Sequence, residues 1–473
     1  MHSSETNTFQ RYEAATVAAL RRLDGWIGGS VVTPEDSDWD SARQAWNLAV
    51  DQRPAAVAFP ESAVDVADVV VFAREHGLRV APQGTGHNAH PLEDRLGETV
   101  LLKTERMREV QIDAANRRAR VEAGAVWMDL TVPAGEHGLA ALAGSSPDVG
   151  IVGYTLGGGL SWLSRRHGLA ANSVTAVELV TADGERVRAD RDHHPELFWA
   201  VRGGGGSFGV VTAIEMELFP ITHLYAGTMF WPQERAHEVL ETWRQWTQQE
   251  LPEEIISVGR VMNLPPLPDV PEPLRGRSFV VVEAMYIGDE ARGAELIAPL
   301  RDLGPEIDTF ATIPAPALSH VHMDPEHPVP GSGDGMLLSE LPAEAIDTFV
   351  ETAAGPTGSA LLSVEIRQLG GAIGRAAAEH GAVGSIGAPY VMFAVGMAPT
   401  PEVRYVVKAQ VDAVKRSLSP WSAGYGYPNF AERPVDSRTL YEHEYTHRRL
   451  EAIKAQYDPE DVIQANHPIR PAG

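Results

Sequence analysis

The sequence of 473 residues contains no cysteine. This absence excludes disulfides, cysteine-ligated zinc, iron–sulfur clusters, thiol catalysis and a cysteinyl bond to a cofactor. Basic residues are also in the minority, because 39 Lys and Arg stand against 64 Asp and Glu, for a net charge of −25. A charge of that sign repels nucleic acid and anionic membrane surfaces, so we expect neither as a partner.

Long apolar runs are missing as well. The longest candidate, from Val64 to Phe72, is interrupted by Asp65 and Asp68 and falls short of the roughly 18 residues of a membrane span. The first twenty residues have neither the basic start nor the continuous apolar stretch of a signal peptide, so we expect a cytoplasmic protein. The oligomeric state is not readable from the sequence.

The spacing of apolar residues predicts an α+β protein. Residues 9–50 favour helix, and a β-α-β unit follows, with strands over 55–59 and 78–81 around a helix over 63–76 that Ser62 caps. Five more strands are predicted before Pro220, over 99–103, 118–123, 174–181, 185–189 and 210–219. After Pro220 a second α+β unit is predicted, with strands over 224–231, 255–263, 278–286, 361–369 and 389–397, helices over 232–250, 289–303 and 401–418, and Pro-rich loops over 265–273 and 313–333.

Three glycine clusters stand out. The first contains Gly84 and Gly86, directly after a predicted strand, and matches a dinucleotide fingerprint. Only residues 87–98 separate it from the next strand, and Pro91 and Gly97 interrupt them, so a nicotinamide-binding Rossmann unit is disfavoured. A glycine-rich surface turn with a solvated His87 is the plain alternative.

The second cluster has six glycines within the sixteen positions 144–159, and the third runs from Arg202 to Val211. Glycine lets main-chain N–H groups approach an anion closely, and Gly157–Gly159 are expected to precede a helix from Leu160 whose start could face a pyrophosphate. Together the clusters predict an extended cofactor.

These segments resemble the berberine-bridge-enzyme-like FAD-linked oxidoreductases of the vanillyl-alcohol-oxidase, or PCMH-type FAD-binding, fold. The resemblance covers roughly residues 40–470 and is carried by Gly86-His87, residues 149–169, Leu197–Val211, Tyr427–Phe430 and the segment from Tyr457 to Ile469. It implies an FAD-binding domain over 1–222 with its core at about 50–221, a substrate-binding domain over 223–423 whose antiparallel sheet covers the flavin, and a C-terminal segment, 424–473, that completes the FAD-binding domain.

The resemblance also implies a flavin attached through His87 alone. Ser146 stands where many members have a second attachment cysteine, and serine cannot form that thioether. A free histidine beside non-covalent FAD is the alternative. The expected cofactor-binding residues are Pro82, Gln83, Gly84, Thr85, Gly86, His87, Asn88, Ser145, Ser146, Val149, Gly150, Gly153, Tyr154, Gly157, Gly158, Gly159, Gly209, Val210, Val211, Tyr427, Asn429 and Asn466.

The implied reaction is hydride transfer to flavin N5 from a small-molecule alcohol, phenol or related centre, with dioxygen as the expected acceptor. Known substrates of the family include sugars, alkaloids and polyketides, which indicates secondary metabolism. A dehydrogenase with another acceptor and a flavin-carrying binding protein with little turnover are the alternatives. Val152 replaces a glycine of the family motif near the carbon where dioxygen reacts.

Tyr427, Tyr154 and Arg367 are the candidate catalytic residues. Tyr427 is kept from the family's Tyr-x-Asn-Tyr segment, whereas its second tyrosine is Phe430 here. A tyrosine needs a nearby cation or donor to act as a base at neutral pH, and Arg367 could supply it; alternatively, Tyr427 only packs against the flavin.

The candidate substrate residues are Glu365, Arg367, Tyr390 and His322. Strand alternation puts Glu365 and Arg367 on one face, where they form either a substrate clamp or a supporting ion pair. His320, His322 and Asp324 would form a metal-ligand set if they lay on a strand, but a pocket rim or a solvated loop fits this Pro-rich segment better, and no metal is expected.

Overall fold

The computed structural model describes residues 14–268, 270–355 and 358–472. The predicted α+β class is confirmed. The described residues form three sheets, and the helices pack on their faces. Phe9 and Tyr12, which begin the helix predicted over 9–50, lie outside the described residues. Within them that prediction is largely wrong, because only α1 (Ala14–Asp24) and a single turn, α2 (Trp39–Ala42), are helical.

The first sheet has the order β1-β2-β4-β3. Its strands are β1 (Ser30–Val32), β2 (Ala56–Phe59), β3 (Arg79–Gln83) and β4 (Thr99–Lys103). Strands β2 and β3 both pair in parallel with β4, as the β-α-β pattern predicts. Helix α3 (Ala63–Glu75) connects them, and its cap is the predicted one, since the Ser62 side chain accepts a hydrogen bond from the Asp65 N–H.

The second sheet is antiparallel, with the order β5-β6-β9-β7-β8. Its strands are β5 (Val110–Asp113), β6 (Arg118–Glu122), β7 (Val174–Val180), β8 (Arg186–Ala189) and β9 (Val210–Glu217). The nearby helices are α4 (Trp127–Glu136), α5 (Ile151–Leu156), α6 (Ser164–His167), α7 (Ala170–Ser173) and α8 (Pro195–Val201). The helix expected from Leu160 is absent there: Gly157–Gly159 follow α5 instead of preceding a helix.

The third sheet has eight antiparallel strands in the order β13-β10-β12-β11-β16-β17-β15, with β14 also beside β10. They are β10 (His223–Pro232), β11 (Ile255–Asn263), β12 (Ser278–Tyr286), β13 (Ile307–Asp308), β14 (Ala311–Pro314), β15 (Gly331–Leu338), β16 (Ser363–Gln368) and β17 (Tyr390–Met397). One face carries α9 (Ala236–Thr247), α10 (Glu290–Arg301), α11 (Ala343–Ala353) and α12 (Pro401–Ser417) over an apolar core. The other face lies toward the glycine-rich loops.

Helix α13 (Glu444–Tyr457) belongs to the C-terminal segment and packs on α8. Its Lys454 is fully buried and donates to the carbonyls of Ser207 and Ile463, which ties this segment to the third glycine cluster. Val80 of β3 forms a parallel bridge with Ile463. The C-terminal segment therefore packs against the N-terminal half of the chain.

Candidate active site

A cavity of about 500 Å³ lies between the glycine-rich loops and the open face of the eight-stranded sheet. Its walls bring together all three glycine clusters, the sheet residues of β11, β16 and β17, and the C-terminal segment. Eighteen of the expected cofactor residues line it: Pro82, Gln83, Gly84, Thr85, Gly86, His87, Asn88, Ser145, Ser146, Val149, Gly150, Gly153, Tyr154, Gly157, Gly209, Val211, Asn429 and Asn466.

Four expected cofactor residues do not line the cavity. Val210 faces the opposite side of β9 and packs in the core beneath α3, because side chains alternate along a strand. Gly158 and Gly159 have φ of 117° and 77° and turn the chain away from the cavity, against Tyr427 and Tyr154 respectively. Tyr427 is the fourth.

The glycines leave space that no protein atom fills. A Cβ added at Gly153 or Gly205 would meet nothing within 4 Å, and one at Gly84 would meet only the Ala123 carbonyl, at 3.6 Å. Several buried polar atoms on the same walls also have no partner in the described chain, namely Gln83 Oε1, His87 Nε2, Asn88 Oδ1, the Tyr154 hydroxyl and His467 Nδ1. A glycine-walled cavity with unpaired donors and acceptors fits a large polar cofactor with an anionic part.

His87 is held in one corner of the cavity. The indole of Trp46 stacks on its ring, with centroids 3.9 Å apart, and the Thr85 hydroxyl lies 2.7 Å from Nδ1. Asp148 Oδ1 lies 3.5 Å from Nε2. Burial raises the pKa of Asp148, but the contacts with His87, Trp46 and Ser146 outweigh burial and leave that pKa below its ordinary value.

The sheet covers the cavity with a buried ion network. His322 Nδ1 lies 2.5 Å from Glu283 Oε2, and its Nε2 lies 3.0 Å from Glu365 Oε2. Arg260 Nη2 donates to Glu283 at 2.5 Å, and Arg367 Nε donates to Glu365 at 2.6 Å. The predicted shared face of Glu365 and Arg367 is confirmed, and both line the cavity with His322 and Arg260.

This network keeps its histidine charged. Burial and the charge of Arg260 lower the pKa of His322, but the carboxylates of Glu283, Asp324 and Glu365 raise it to about 9. Burial raises the pKa of Glu365, yet Arg367 and His322 hold it well below its ordinary value. The cavity thus has a charged, hydrogen-bonding ceiling.

The prediction that Tyr390 faces the substrate is wrong. Its hydroxyl lies 2.9 Å from the Thr247 hydroxyl of α9, on the helix side of the sheet. The register pairs Glu365 with Phe393 and Arg367 with Val391, so the odd-numbered residues of β17 share the cavity face and Tyr390 does not. The sequence does not show the parity of β17 relative to β16.

Tyr427 also lies away from the cavity, which Phe430 and Asn429 line in its place. Its ring packs against Gly158, and burial raises its pKa far above the ordinary value. The expected support from Arg367 is missing, since that guanidinium is bonded to Glu365 and lies over the ring of Phe430, 5.4 Å from its centroid. Tyr154 does line the cavity, and burial raises its pKa as well.

Glu432 is a cavity residue that sequence reasoning missed. Its carboxylate lies over Gly333 of β15 and lines the cavity beside Phe393. Burial, and then the charge of Asp334, raises its pKa to about 7. The available signal was an acid two residues after Phe430, inside the segment that resembles the family's closing motif.

The suggested metal ligands do not converge. His320 ends a 3₁₀ turn rather than lying on a strand, and its Nδ1 pairs with the exposed Glu326 at 2.8 Å, whereas His322 is buried in the ion network. No group of three His, Asp or Glu side chains in the described ranges is arranged to hold a metal ion. Within the same ranges, no helix is long and apolar enough to cross a membrane.

Comparisons with known proteins agree with this geometry. Residues 54–190 match the model of an FAD-binding domain. (R)-6-Hydroxynicotine oxidase of Paenarthrobacter nicotinovorans is 29% identical over 94% of this chain and 98% of its own. Among solved structures, 6-hydroxy-D-nicotine oxidase from Arthrobacter nicotinovorans has a TM-score of 0.79 at 25% identity, covering 94% of this chain and 98% of its own. A berberine-bridge-enzyme-like protein of Physcomitrella patens has a TM-score of 0.81 at 20% identity, covering 96% and 99%.

The cavity and these relatives define the class: the chain is an FAD-linked oxidoreductase. Within that class it has the fold of the berberine-bridge-enzyme-like enzymes, and the resemblance seen in its glycine motifs is confirmed.

Proposed function

We propose that this enzyme oxidises a small-molecule alcohol, phenol or amine with dioxygen as the acceptor. The observation that carries the proposal is the single cavity in which the glycine-rich walls, a histidine corner and a charged ceiling meet. FAD bound there would supply a two-electron acceptor at N5. The lining residues of the three glycine clusters, with Asn429 and Asn466, would hold it, and His87 would attach it covalently.

Glu432 is the best-placed proton acceptor for the substrate. Its carboxylate lines the cavity, and a pKa of about 7 suits a general base at neutral pH. The buried hydroxyl of Tyr427 has neither property. A carboxylate can also pair with a protonated amine. One relative of this chain is named as an oxidase of 6-hydroxynicotine.

The ion network of the sheet would bind the end of the substrate that lies away from Glu432. Arg367 lines the cavity with a cationic guanidinium that would bind a phenolate, carboxylate or hydroxyl oxygen. Two strand spacings, about 10 Å, separate β16 from β15, over which Glu432 lies, so both groups can contact one small molecule. Phe393 and Val395 of β17 supply apolar surface between them.

The test is a screen of amines, phenols and alcohols for bleaching of the flavin absorbance under nitrogen, followed by admission of air. Bleaching by a member of the panel and rapid return of colour in air are expected. No bleaching by any substrate class would favour the binding-protein alternative. Stopped-flow rates of bleaching between pH 5 and 9 should rise through pH 7, and Glu432→Gln should remove that rise.

A dehydrogenase with another acceptor is the second candidate. Val152 favours it, because this branched side chain lines the cavity where the family motif has glycine. If Val152 blocks dioxygen, the reduced wild type returns slowly to the yellow form in air, and Val152→Gly returns faster. Fast return in the wild type, unchanged in the variant, would exclude this candidate.

A further inference from the structure

Strand β15 carries alternate glycines at the edge of the eight-stranded sheet. Gly335 pairs with Phe393, which lines the cavity, and Gly333 shares that face because side chains alternate along a strand. A Cβ added at Gly333 would lie 2.8 Å from Glu432 Oε2. One added at Gly335 would lie 2.9 Å from the carbonyl oxygen of Phe430. The two glycines therefore make room for the segment that carries Glu432.

Asp334 lies between these glycines, so alternation places it on the opposite face of the strand. Its side chain is buried, and its Oδ2 pairs with the ammonium group of Lys415 on α12. Its Oδ1 accepts a hydrogen bond from the backbone N–H of Glu432 at 3.2 Å. A single buried carboxylate thus connects the proposed base to both the edge strand and a helix.

The charge of Asp334 also acts on the carboxylate of Glu432. Burial and then Asp334 raise the pKa of Glu432, whereas Arg433 and the Gly333 N–H lower it, and the resulting value is about 7. A negative charge close to a carboxylate disfavours its ionised form and so strengthens it as a base. Lys415 supplies the counter-ion that a buried carboxylate such as Asp334 needs.

The other charged groups around Glu432 have partners of their own or carry no charge at neutral pH. Arg433, the next residue along the chain, pairs with Asp412 of α12. Arg367 lines the cavity from β16 and is bonded to an acid on its own strand. Burial lowers the pKa of His467, so this ring is neutral at pH 7. Asp334 is therefore the acid whose charge acts most directly on Glu432.

We propose that Asp334 is a positioning residue for Glu432: it holds the backbone of the proposed base at the edge of the sheet and, through its negative charge, makes that carboxylate a stronger base. The inference rests on the proposed function, in which Glu432 accepts the substrate proton. That proton leaves an O–H or N–H bond of the substrate for Glu432 and then passes to solvent. Asp334 itself neither gives nor takes a proton.

The first experiment compares the wild type with Asp334→Asn, which keeps an oxygen for the Glu432 N–H and removes the charge. Stopped-flow bleaching of the flavin by a substrate from the screen is measured in both holoenzymes between pH 4 and 9. In the variant the rise in rate should move from pH 7 toward 4.5, the ordinary pKa of a glutamate, by about 1 pH unit or more. Asp334→Glu should return it toward the wild-type position. A rise at the wild-type pH in Asp334→Asn would overturn the proposal.

Asp334→Ala tests the hydrogen bond together with the charge. Without an acceptor for its N–H, Glu432 is held less well, so the highest rate at alkaline pH should be about 10-fold below that of Asp334→Asn. Equal highest rates in these two variants would overturn the positioning role of the hydrogen bond.

Asp412→Asn is the matched control. Asp412 also lies on α12, but it pairs with Arg433 and not with the backbone of Glu432. The same change of charge there should move the rise in rate much less than Asp334→Asn does, and an equal shift would overturn the proposal. Asp334→Asn combined with Lys415→Gln leaves neither ion without its partner. This double variant should shift the rise in the same direction, and it replaces the single variant if that protein folds poorly.

Unfolding curves provide a readout that needs no substrate. The difference in free energy of unfolding between a protein with Glu432→Gln and the same protein with Glu432 grows with pH and levels off above the folded-state pKa of that carboxyl. In the Asp334→Asn background it should level off at a lower pH than in the wild-type background, and an unchanged pH would overturn the inference. If it moves as expected but Glu432→Gln keeps the rise in bleaching rate, the proposed role of Glu432 as the base is wrong, whereas the effect of Asp334 on that carboxylate stands.

Discussion

The ammonium group of Lys454 lies 2.5 Å from the carboxylate of Asp458, and neither side chain is exposed to solvent. The same ammonium donates to the Ser207 and Ile463 carbonyls, both at hydrogen-bond distance. Asp458 in turn accepts from the N–H groups of Val462 and Ile463. One buried ion pair therefore joins α13, the C-terminal turn and the third glycine cluster.

Lys454→Met should be strongly destabilising. Removal of the ammonium leaves a buried carboxylate and two carbonyls without their partner, and the expected loss is about 3–5 kcal/mol of the free energy of unfolding. Because Ser207 lies in the third glycine cluster, retention of FAD should fall as well. Urea denaturation and the absorbance ratio of flavin to protein measure both effects. Arg449→Met removes a half-exposed pair with Glu196 and should cost at most about 1 kcal/mol; an equal cost would contradict the prediction.

Glu432 should make the protein less stable at alkaline pH. Its folded-state pKa, about 7, is above the ordinary 4.5, so the unfolded chain releases this proton at a lower pH than the folded chain does. The stability that the protonated carboxyl contributes is fully present below pH 4.5 and is lost as pH rises through 7. Glu432→Gln should therefore match the wild type at pH 4 and exceed its free energy of unfolding at pH 8. Glu344→Gln, at an exposed position in α11, should differ from the wild type at neither pH.

Glu365→Gln should weaken the ceiling of the cavity. The change removes the carboxylate between Arg367 and His322 and leaves buried cations undercompensated, at a cost of about 3–5 kcal/mol. His322 has a raised pKa, so its contribution to stability is present below its ordinary 6.5 and is lost as pH rises through about 9. In the variant, the free energy of unfolding should begin to fall at a lower pH than in the wild type. Unfolding curves at pH 6 to 10 measure it, and unchanged curves would show that Glu365 does not support His322.

Tyr427→Phe should leave the rate of flavin reduction within about threefold of the wild type, far from the 10²–10⁴-fold of general acid–base catalysis. The reason is that the hydroxyl of Tyr427 packs against Gly158 outside the cavity. Tyr154→Phe is the matched variant, because that hydroxyl is buried, unpaired and carried by a residue on the cavity wall. Stopped-flow reduction by any substrate found in the screen compares the two. A loss of about 10²-fold or more in Tyr427→Phe would contradict the prediction and return the proton-transfer role to Tyr427.

The glycine-rich walls of the cavity could be predicted from the sequence, whereas the residues that the sheet contributes could be predicted only in part. A cluster of glycines indicates a close approach of the backbone to a ligand, and it does so from local sequence alone. The loops around Gly84, Gly153 and Gly205 could therefore be predicted. Glu365 and Arg367 were found because alternation within one strand is local information. The place of Tyr390 depends on the register between two strands, which no single segment encodes.

Three features that the sequence analysis did not predict, namely β15, α13 and Glu432, have similar causes. Strand β15 contains Gly331, Gly333 and Gly335, which weaken the signal of a strand although the partner β17 pairs with it along its length. Helix α13 has a charged, tyrosine-rich sequence, and its buried face combines Leu450 and Ile453 with the polar Lys454, so its apolar pattern is weak. Glu432 has no local signal at all, because its role depends on a cavity that distant segments build.

The bridge between Val80 and Ile463 has a consequence for biosynthesis. A chain emerges from the ribosome with its N-terminal half first, and that half contains every glycine cluster of the cavity. The cavity nevertheless needs Asn429 and Asn466 for its wall, and the glycine loop at Ser207 needs Lys454. We therefore expect a nascent chain that has exposed all of its glycine motifs to retain flavin only after the C-terminal segment has been synthesised.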